Sequence, residues 1–186
     1  MARVQVISPQ TATGEAKSLL DTVQANLGVT PNFIRVLANS PQALEGFLGL
    51  YSALGRATVD KSTQERIALA IAEGNGCQYC VSAHTAIGRG AGLSNEEMVL
   101  NRRGSSGDSK AAATVAFAKA LNDNLGEITT AEFDAARNAG LSDGEIVEVI
   151  SVVALNIFTN ILGKATRVEI DFPKVDLLNT LVRTAA

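Results

Sequence analysis

Four times in this chain a serine or threonine stands three residues ahead of a glutamate at the head of an apolar-periodic run. The pairs are Ser62/Glu65, Ser94/Glu97, Thr129/Glu132 and Ser142/Glu145. This S/T-x-x-E spacing is the capping box, in which hydroxyl and carboxylate satisfy backbone N–H groups that a helix leaves free at its start. Each pair therefore predicts a helix N-terminus. The long segments follow helical periodicity as well. Leu19, Leu20, Val23 and Leu27 line one face of a first helix, which Gly28 ends. "TPNFIRVLANSP" gives a short second helix, and "PQALEGFLGLYSALG" a third with Phe47, Leu50, Tyr51 and Leu54 inward. From about residue 142, Ile146, Val149, Ile150, Val153, Ile157, Ile161 and Leu162 keep i, i+3, i+4 spacing over several turns.

Composition agrees with a helical reading. Of 186 residues 46% are hydrophobic, enough for a folded core, while aromatics are 4% and Trp is absent. Abundant Ala and Gly suit closely packed helices better than a sheet. The expected architecture is all-α: one compact domain over residues 1–186, of about seven to nine helices. "NRRGSSGDSK", 101–110, reads as an exposed loop, because helical pattern resumes directly after it. The segments opened by Ser62 and Ser142 look faintly alike, which hints at a duplicated helix pair.

Charge and hydropathy narrow the function. A net charge of -3 with no basic cluster argues against a nucleic-acid partner. No uninterrupted apolar stretch reaches the roughly 18 residues of a membrane span, and "MARVQVISPQ" lacks the apolar core of a signal peptide. The expectation is a cytoplasmic protein with reduced thiols. There, a lone C-x-x-C is more often catalytic or metal-binding than a structural staple.

That pair lies in "EGNGCQYCVSAH", 73–84, which holds both cysteines and the sole histidine. "GNG" stops the helix opened by Ser62, and a second helix can start at Cys77. Cys77, Cys80 and His84 then share one face, the sulfurs close enough for a disulfide. The unpaired N–H groups of a helix start favour thiolate over thiol. Folding back at Asn75 brings position 65 opposite position 85, beside His84. The chain thus predicts a line of proton-transfer groups, Glu65, His84 and Cys80, in a core spanning 62–92. Glu65 has a second possible role in its capping box. Glu73 reads as a solvated helix-end carboxylate and Tyr79 as packing that could touch substrate. Asn156 and Asn160 read as structural amides that could line a pocket. A zinc site is the alternative for Cys77, Cys80 and His84, with Glu65 or water as fourth ligand, but no second ligand pair exists elsewhere; the expectation is no metal and no cofactor.

The stretch "STQERIALAIAEGNGCQYCVSAHTAIG", with a glutamate twelve residues ahead of C-x-x-C-x-x-x-H, resembles the AhpD-like alkylhydroperoxidases of the carboxymuconolactone decarboxylase superfamily, in particular their peroxidase-related branch. The likeness extends to "GVTPNFIRVLANSP" and, more loosely, to "NIFTNILGKATRVEIDF". It implies a thiol-dependent hydroperoxide reductase of the peroxiredoxin type. Cys80 would be the peroxidatic thiolate, Cys77 the resolving thiol, and His84 with Glu65 the proton relay. The implied partners are a hydroperoxide substrate, an external dithiol (lipoyl or thioredoxin-like protein) as reductant, and further copies of the chain in a homo-oligomer. The best-studied hydroperoxidases of the family carry a second histidine just before the second cysteine; Tyr79 stands there in this chain. The same pair could instead serve a dithiol–disulfide reductase or a redox-sensing adaptor.

Overall fold

The computed structural model describes residues 2–178, and among them every regular element is a helix. In chain order these are α1 (Gly14–Leu27), α2 (Asn32–Leu37), α3 (Pro41–Leu54), α4 (Lys61–Gly74), α5 (Gln78–Gly90), α6 (Asn95–Arg102), α7 (Ser109–Asp123), α8 (Thr130–Asn138) and α9 (Asp143–Thr166). Nine helices among the described residues agree with the all-α expectation.

α4 is the helix around which the others gather, packing against α5, α6, α7 and α9. From Ile67 to Glu73 every side chain on it is buried, as expected of a helix apolar on all sides. Its small residues Ala68, Ala70 and Ala72 permit close approach by its neighbours. Two apolar clusters share α4. Ala72 joins Leu20, Phe33, Leu44, Cys77, Cys80 and Val81 in one, which α1, α2, α3 and α5 build. Ile67 and Ile71 join Phe117, Leu121, Ile146, Val149 and Val153 in the other, built largely from α7 and α9.

The caps divide into two kinds. Thr129/Glu132 and Ser142/Glu145 form complete capping boxes, opening α8 and α9. Ser94 caps α6, but the Glu97 carboxylate turns away from the cap to Arg66, Asn101, Ser106 and the Gly107 N–H. Ser62 caps nothing. Asp60 is the N-cap of α4, accepting from the Thr63 N–H at 3.0 Å and from the Ser62 hydroxyl. A carboxylate two residues earlier serves the helix end, so Glu65 is released from it.

Helical spacing identifies apolar stripes but not which part of a wide stripe is covered. On α3 the innermost residues are Leu44 and Leu54, with Leu50 and Tyr51 exposed. On α9 Ile150 and Ile161 face outward, and Val152, Asn156, Asn160 and Gly163 point inward instead. By length and composition alone α9 could cross a membrane, yet its inner face packs on α3, α4, α5 and α7. The segment 101–110 is shorter as a loop than expected: α6 runs to Arg102, α7 starts at Ser109, and Asn101 is fully buried, donating to Glu97 and the Ser105 carbonyl. The likeness between the segments from Ser62 and Ser142 ends at one helix, since α4 leads into α5 whereas α9 leads into an irregular strap.

That strap, 168–178, follows a left-handed turn at Arg167 and crosses the start of α5. The Val175 N–H donates to Ser82 Oγ at 3.0 Å, and Gln78 Nε2 to Asp176 Oδ1 at 2.8 Å. The Leu178 N–H donates to Glu73 Oε1 at 2.7 Å, while Arg102 Nε donates to Glu73 Oε2 at 2.8 Å. Glu73 is therefore a buried junction between α4, α6 and the strap, not the solvated carboxylate its helix-end position predicts.

Candidate active site

The site begins with the turn between α4 and α5. Gly76 takes a left-handed φ of 64°, which an L side chain resists, and the Cys77 N–H closes back onto the Ala72 carbonyl. Asn75 is pinned from two directions: its Nδ2 donates to Asn122 Oδ1 at 2.9 Å and to Asn160 Oδ1 at 3.1 Å. Lys164 Nζ donates to the Asn75 carbonyl. The turn lays α5 back along α4, and Glu65 Oε2 meets His84 Nδ1 at 2.8 Å. Glu65 is only 7% exposed, so the partnership is set in a poorly hydrated place. With Nδ1 committed to the carboxylate, Nε2 is the ring nitrogen left for other chemistry.

Cys77 is the N-cap of α5, and its Sγ accepts from the Cys80 N–H at 3.3 Å. The Cα atoms of Cys77 and Cys80 are 5.3 Å apart and their sulfurs are joined. Both cysteines are buried, at 1% and 3% exposure. They rest against α9 where that helix has no side chain: a Cβ on Gly163 would lie 3.4 Å from Cys77 Sγ and 3.8 Å from Cys80 Sγ.

One side of the pair opens on an apolar cavity of about 170 Å³. Glu65, Cys80, His84 and Asn156 reach its wall; Cys77 does not. Cys80 and His84 stand one turn apart on the same face of α5. Aromatic rings supply much of the remaining wall: Phe33 from α2, Phe47 and Tyr51 from α3, Tyr79 from α5 and Phe172 from the strap.

Tyr79 is buried and doubly held. Its hydroxyl donates to Asp171 Oδ1 at 2.9 Å and accepts from the Phe33 N–H at 3.2 Å, while Asp171 Oδ2 takes the Asn32 N–H at 2.6 Å. Burial, then the negative Asp171 beside it, pushes the phenol far above its ordinary range. The hydroxyl keeps its proton and staples α2 to the strap.

The structure thus brings together Glu65, His84, Cys80 and Cys77, and sorts the secondary candidates. Asn156 lines the cavity, its Nδ2 donating to the Val152 carbonyl. Asn160 sits away from the cavity wall, holds the Asn75 turn, and keeps a buried Nδ2 with no partner. Phe33, Phe47, Asp171, Phe172 and Gly163 belong to the site without having been legible in the sequence. No spacing relates them to the C-x-x-C, and they reach it only through tertiary packing. Among the described residues no three His, Cys, Asp or Glu are grouped to hold a metal ion.

The arrangement is that of an AhpD-like helical protein. Residues 41–123 match the carboxymuconolactone decarboxylase family, and with the structural neighbours this places that segment in the superfamily. A peroxidase-related protein from Silicibacter sp. TM1040 is 25% identical, over 90% of this chain and 91% of that one, with a TM-score of 0.79. An AhpD-core, peroxidase-related protein from Ralstonia eutropha JMP134 is 23% identical, over 91% and 92%, with a TM-score of 0.79. The debrominase Bmp8, solved with 2,3,4-tribromopyrrole, shares the fold at 19% identity, over 92% and 94%, with a TM-score of 0.77. No functionally curated protein matches the chain. The family that residues 41–123 match is named for a decarboxylase, and one protein that shares the fold is a debrominase.

Proposed function

We propose that the protein is a thiol-dependent hydroperoxide reductase. The observation that carries this is the Glu65–His84 pair in the wall of the cavity that Cys80 also reaches, with Cys77 in bonding contact behind it. In the reduced protein the Cys80 thiolate attacks the distal oxygen of a hydroperoxide. The O–O bond breaks, the alkoxide takes a proton from the His84–Glu65 pair to leave as alcohol, and Cys80 becomes a sulfenic acid. The Cys77 thiolate then attacks Cys80 Sγ, hydroxide leaves and takes a proton as water, and the disulfide forms. The balance is two thiols and one hydroperoxide consumed, one disulfide, one alcohol and one water produced.

Reduction runs the other way through an external dithiol, a lipoyl or thioredoxin-like protein. Cys80 is the sulfur on the cavity side, and Cys77 is the better leaving thiolate because the helix N-terminus stabilises its charge. Such a cycle needs a reducing compartment, which the cytoplasm supplies. Self-association belongs to the same proposal. Val147 and Ile161, 61% and 63% exposed, lie with Ile150 and Phe158 along the outer face of α9, and a second copy is the occupant we assign to that stripe. Sedimentation of the Phe158→Lys variant against the parent tests it; equal mass distributions for the two would remove it.

Stopped-flow mixing of reduced protein with hydroperoxide tests the reaction. Oxidation to the Cys77–Cys80 disulfide far faster than a free thiol at the same pH is expected. A free-thiol rate would leave the pair as a disulfide reductase or sensor. The Bmp8 complex and the ring-lined cavity favour one further reading, in which the same two thiols supply the electrons that exchange C–Br for C–H. Release of bromide from a bromopyrrole by the reduced protein is its assay.

A further inference from the structure

We infer that the cavity beside Cys80 selects its occupant by an aromatic ring: the substrate is a compact aryl-alkyl hydroperoxide, in preference to hydrogen peroxide or a long linear alkyl hydroperoxide. This rests on the proposed hydroperoxide chemistry and adds to it the shape of the organic group.

Three observations carry it. The cavity volume of about 170 Å³ is close to that of cavities that hold a single benzene ring, so one ring with a short branch fills it. Its wall is divided. Most polar and reactive atoms come from α4, α5 and α9, among them Glu65, Cys80, His84 and Asn156, whereas α2, α3 and the strap present mainly carbon, the rings of Phe33, Phe47 and Phe172 beside aliphatic side chains. An occupant fits when one end is polar and the other apolar, the distal oxygen toward Cys80. Finally, the rings are set for a further ring. Phe33 meets Phe47 edge-on at 5.4 Å between centroids, Phe47 stacks on Tyr51 at 5.8 Å, and Phe172 meets Tyr79 edge-on at 5.8 Å. Tyr51, exposed on α3, also lines the cavity. A substrate ring extends these edge and stacked contacts, which an alkyl chain of equal area does not reproduce.

Hydrogen peroxide fills only the polar end and leaves the ring-lined volume unused. Burial of one ring is therefore expected to separate aryl-alkyl substrates from hydrogen peroxide by roughly tenfold or more in kcat/KM.

The test measures binding apart from turnover. Cumyl alcohol, the product of cumene hydroperoxide, is titrated into the full oxidised chain by calorimetry or NMR, alongside tert-butanol and 1-octanol. Cumyl alcohol is expected to bind about tenfold more tightly than either. Leu155→Trp, which fills the cavity from α9, should remove that preference. Equal affinity for the three alcohols in the parent protein, or stronger binding of 1-octanol, overturns the assignment whether or not the variant folds. Ring-selective binding without oxidation of Cys80 by any hydroperoxide would sink the proposed reaction and leave the ring assignment standing. Rapid oxidation by every hydroperoxide alike, without ring selectivity, would do the reverse.

Discussion

Glu65 shows at the residue scale how one position can satisfy two sequence rules and obey only one in the folded chain. Its place in an S/T-x-x-E box predicts a cap, and its place opposite His84 across a hairpin predicts a relay. The folded chain separates the two, because Asp60 caps α4 and the Glu65 carboxylate bonds His84. Glu65→Gln keeps the shape and removes the charge that orients the imidazole. Peroxide-driven oxidation is expected to fall by roughly 10²-fold or more, with the thermal midpoint nearly unchanged; stopped-flow and calorimetry on one preparation check both. Cys80→Ser should abolish turnover, since Cys77 has no access to the cavity. Cys77→Ser should leave a sulfenic acid on Cys80 that dimedone traps, and mass spectrometry locates it. Tyr79 holds its proton too firmly to stand in for a second relay histidine. Tyr79→Phe should therefore act through stability, about 1–2 kcal/mol for a partner lost by Asp171 and the Phe33 N–H, and leave the per-molecule oxidation rate close to the parent's.

At the scale of elements, helix starts were the most legible part of the fold, because a cap is a contact between residues three apart. Ser142→Ala breaks a complete box at the head of the longest helix and should cost about 1 kcal/mol in a urea titration. Glu97 is the informative exception. Burial raises its pKa, but hydrogen bonds from Ser106, Asn101, the Gly107 N–H and Arg66 outweigh burial and bring it down to about 2. A carboxyl held below its ordinary 4.5 contributes stability that is full above that value and is lost as pH falls toward about 2. Urea midpoints should decline between pH 5 and pH 2.5, and Glu97→Gln should flatten that decline while lowering the plateau. The sequence pairs Glu97 with Ser94 alone; its partners on α4 and in the 103–108 loop come from chain folded over it. The inward faces of α3 and α9 match the periodic expectation only in part, for a related reason. Both helices have apolar stripes wider than their neighbours cover, so period alone cannot tell Leu50 from Leu54 or Ile150 from Val152.

For the molecule as a whole, the strap 168–178 is the element that local pattern could not supply. Asp171 joins Tyr79 and the start of α2, and Phe172 closes one wall of the cavity. Asp171→Ala leaves both donors without their acceptor and loosens Phe172. A loss of about 1–3 kcal/mol is expected, together with faster proteolytic cleavage within the strap than in the parent. What the sequence determined by itself lies within short reach along the chain: helical period, the stop at Gly74–Gly76, the shared face of Cys77, Cys80 and His84, and the register that sets position 65 beside them. Such features follow from backbone geometry over a few turns. The tertiary structure alone decided which apolar faces are covered, that Glu73 is buried against Arg102, that Gly163 makes room for two sulfurs, and that rings from four elements enclose one cavity. Those contacts join residues up to more than a hundred positions apart, where chain spacing carries no information and close packing selects the partners.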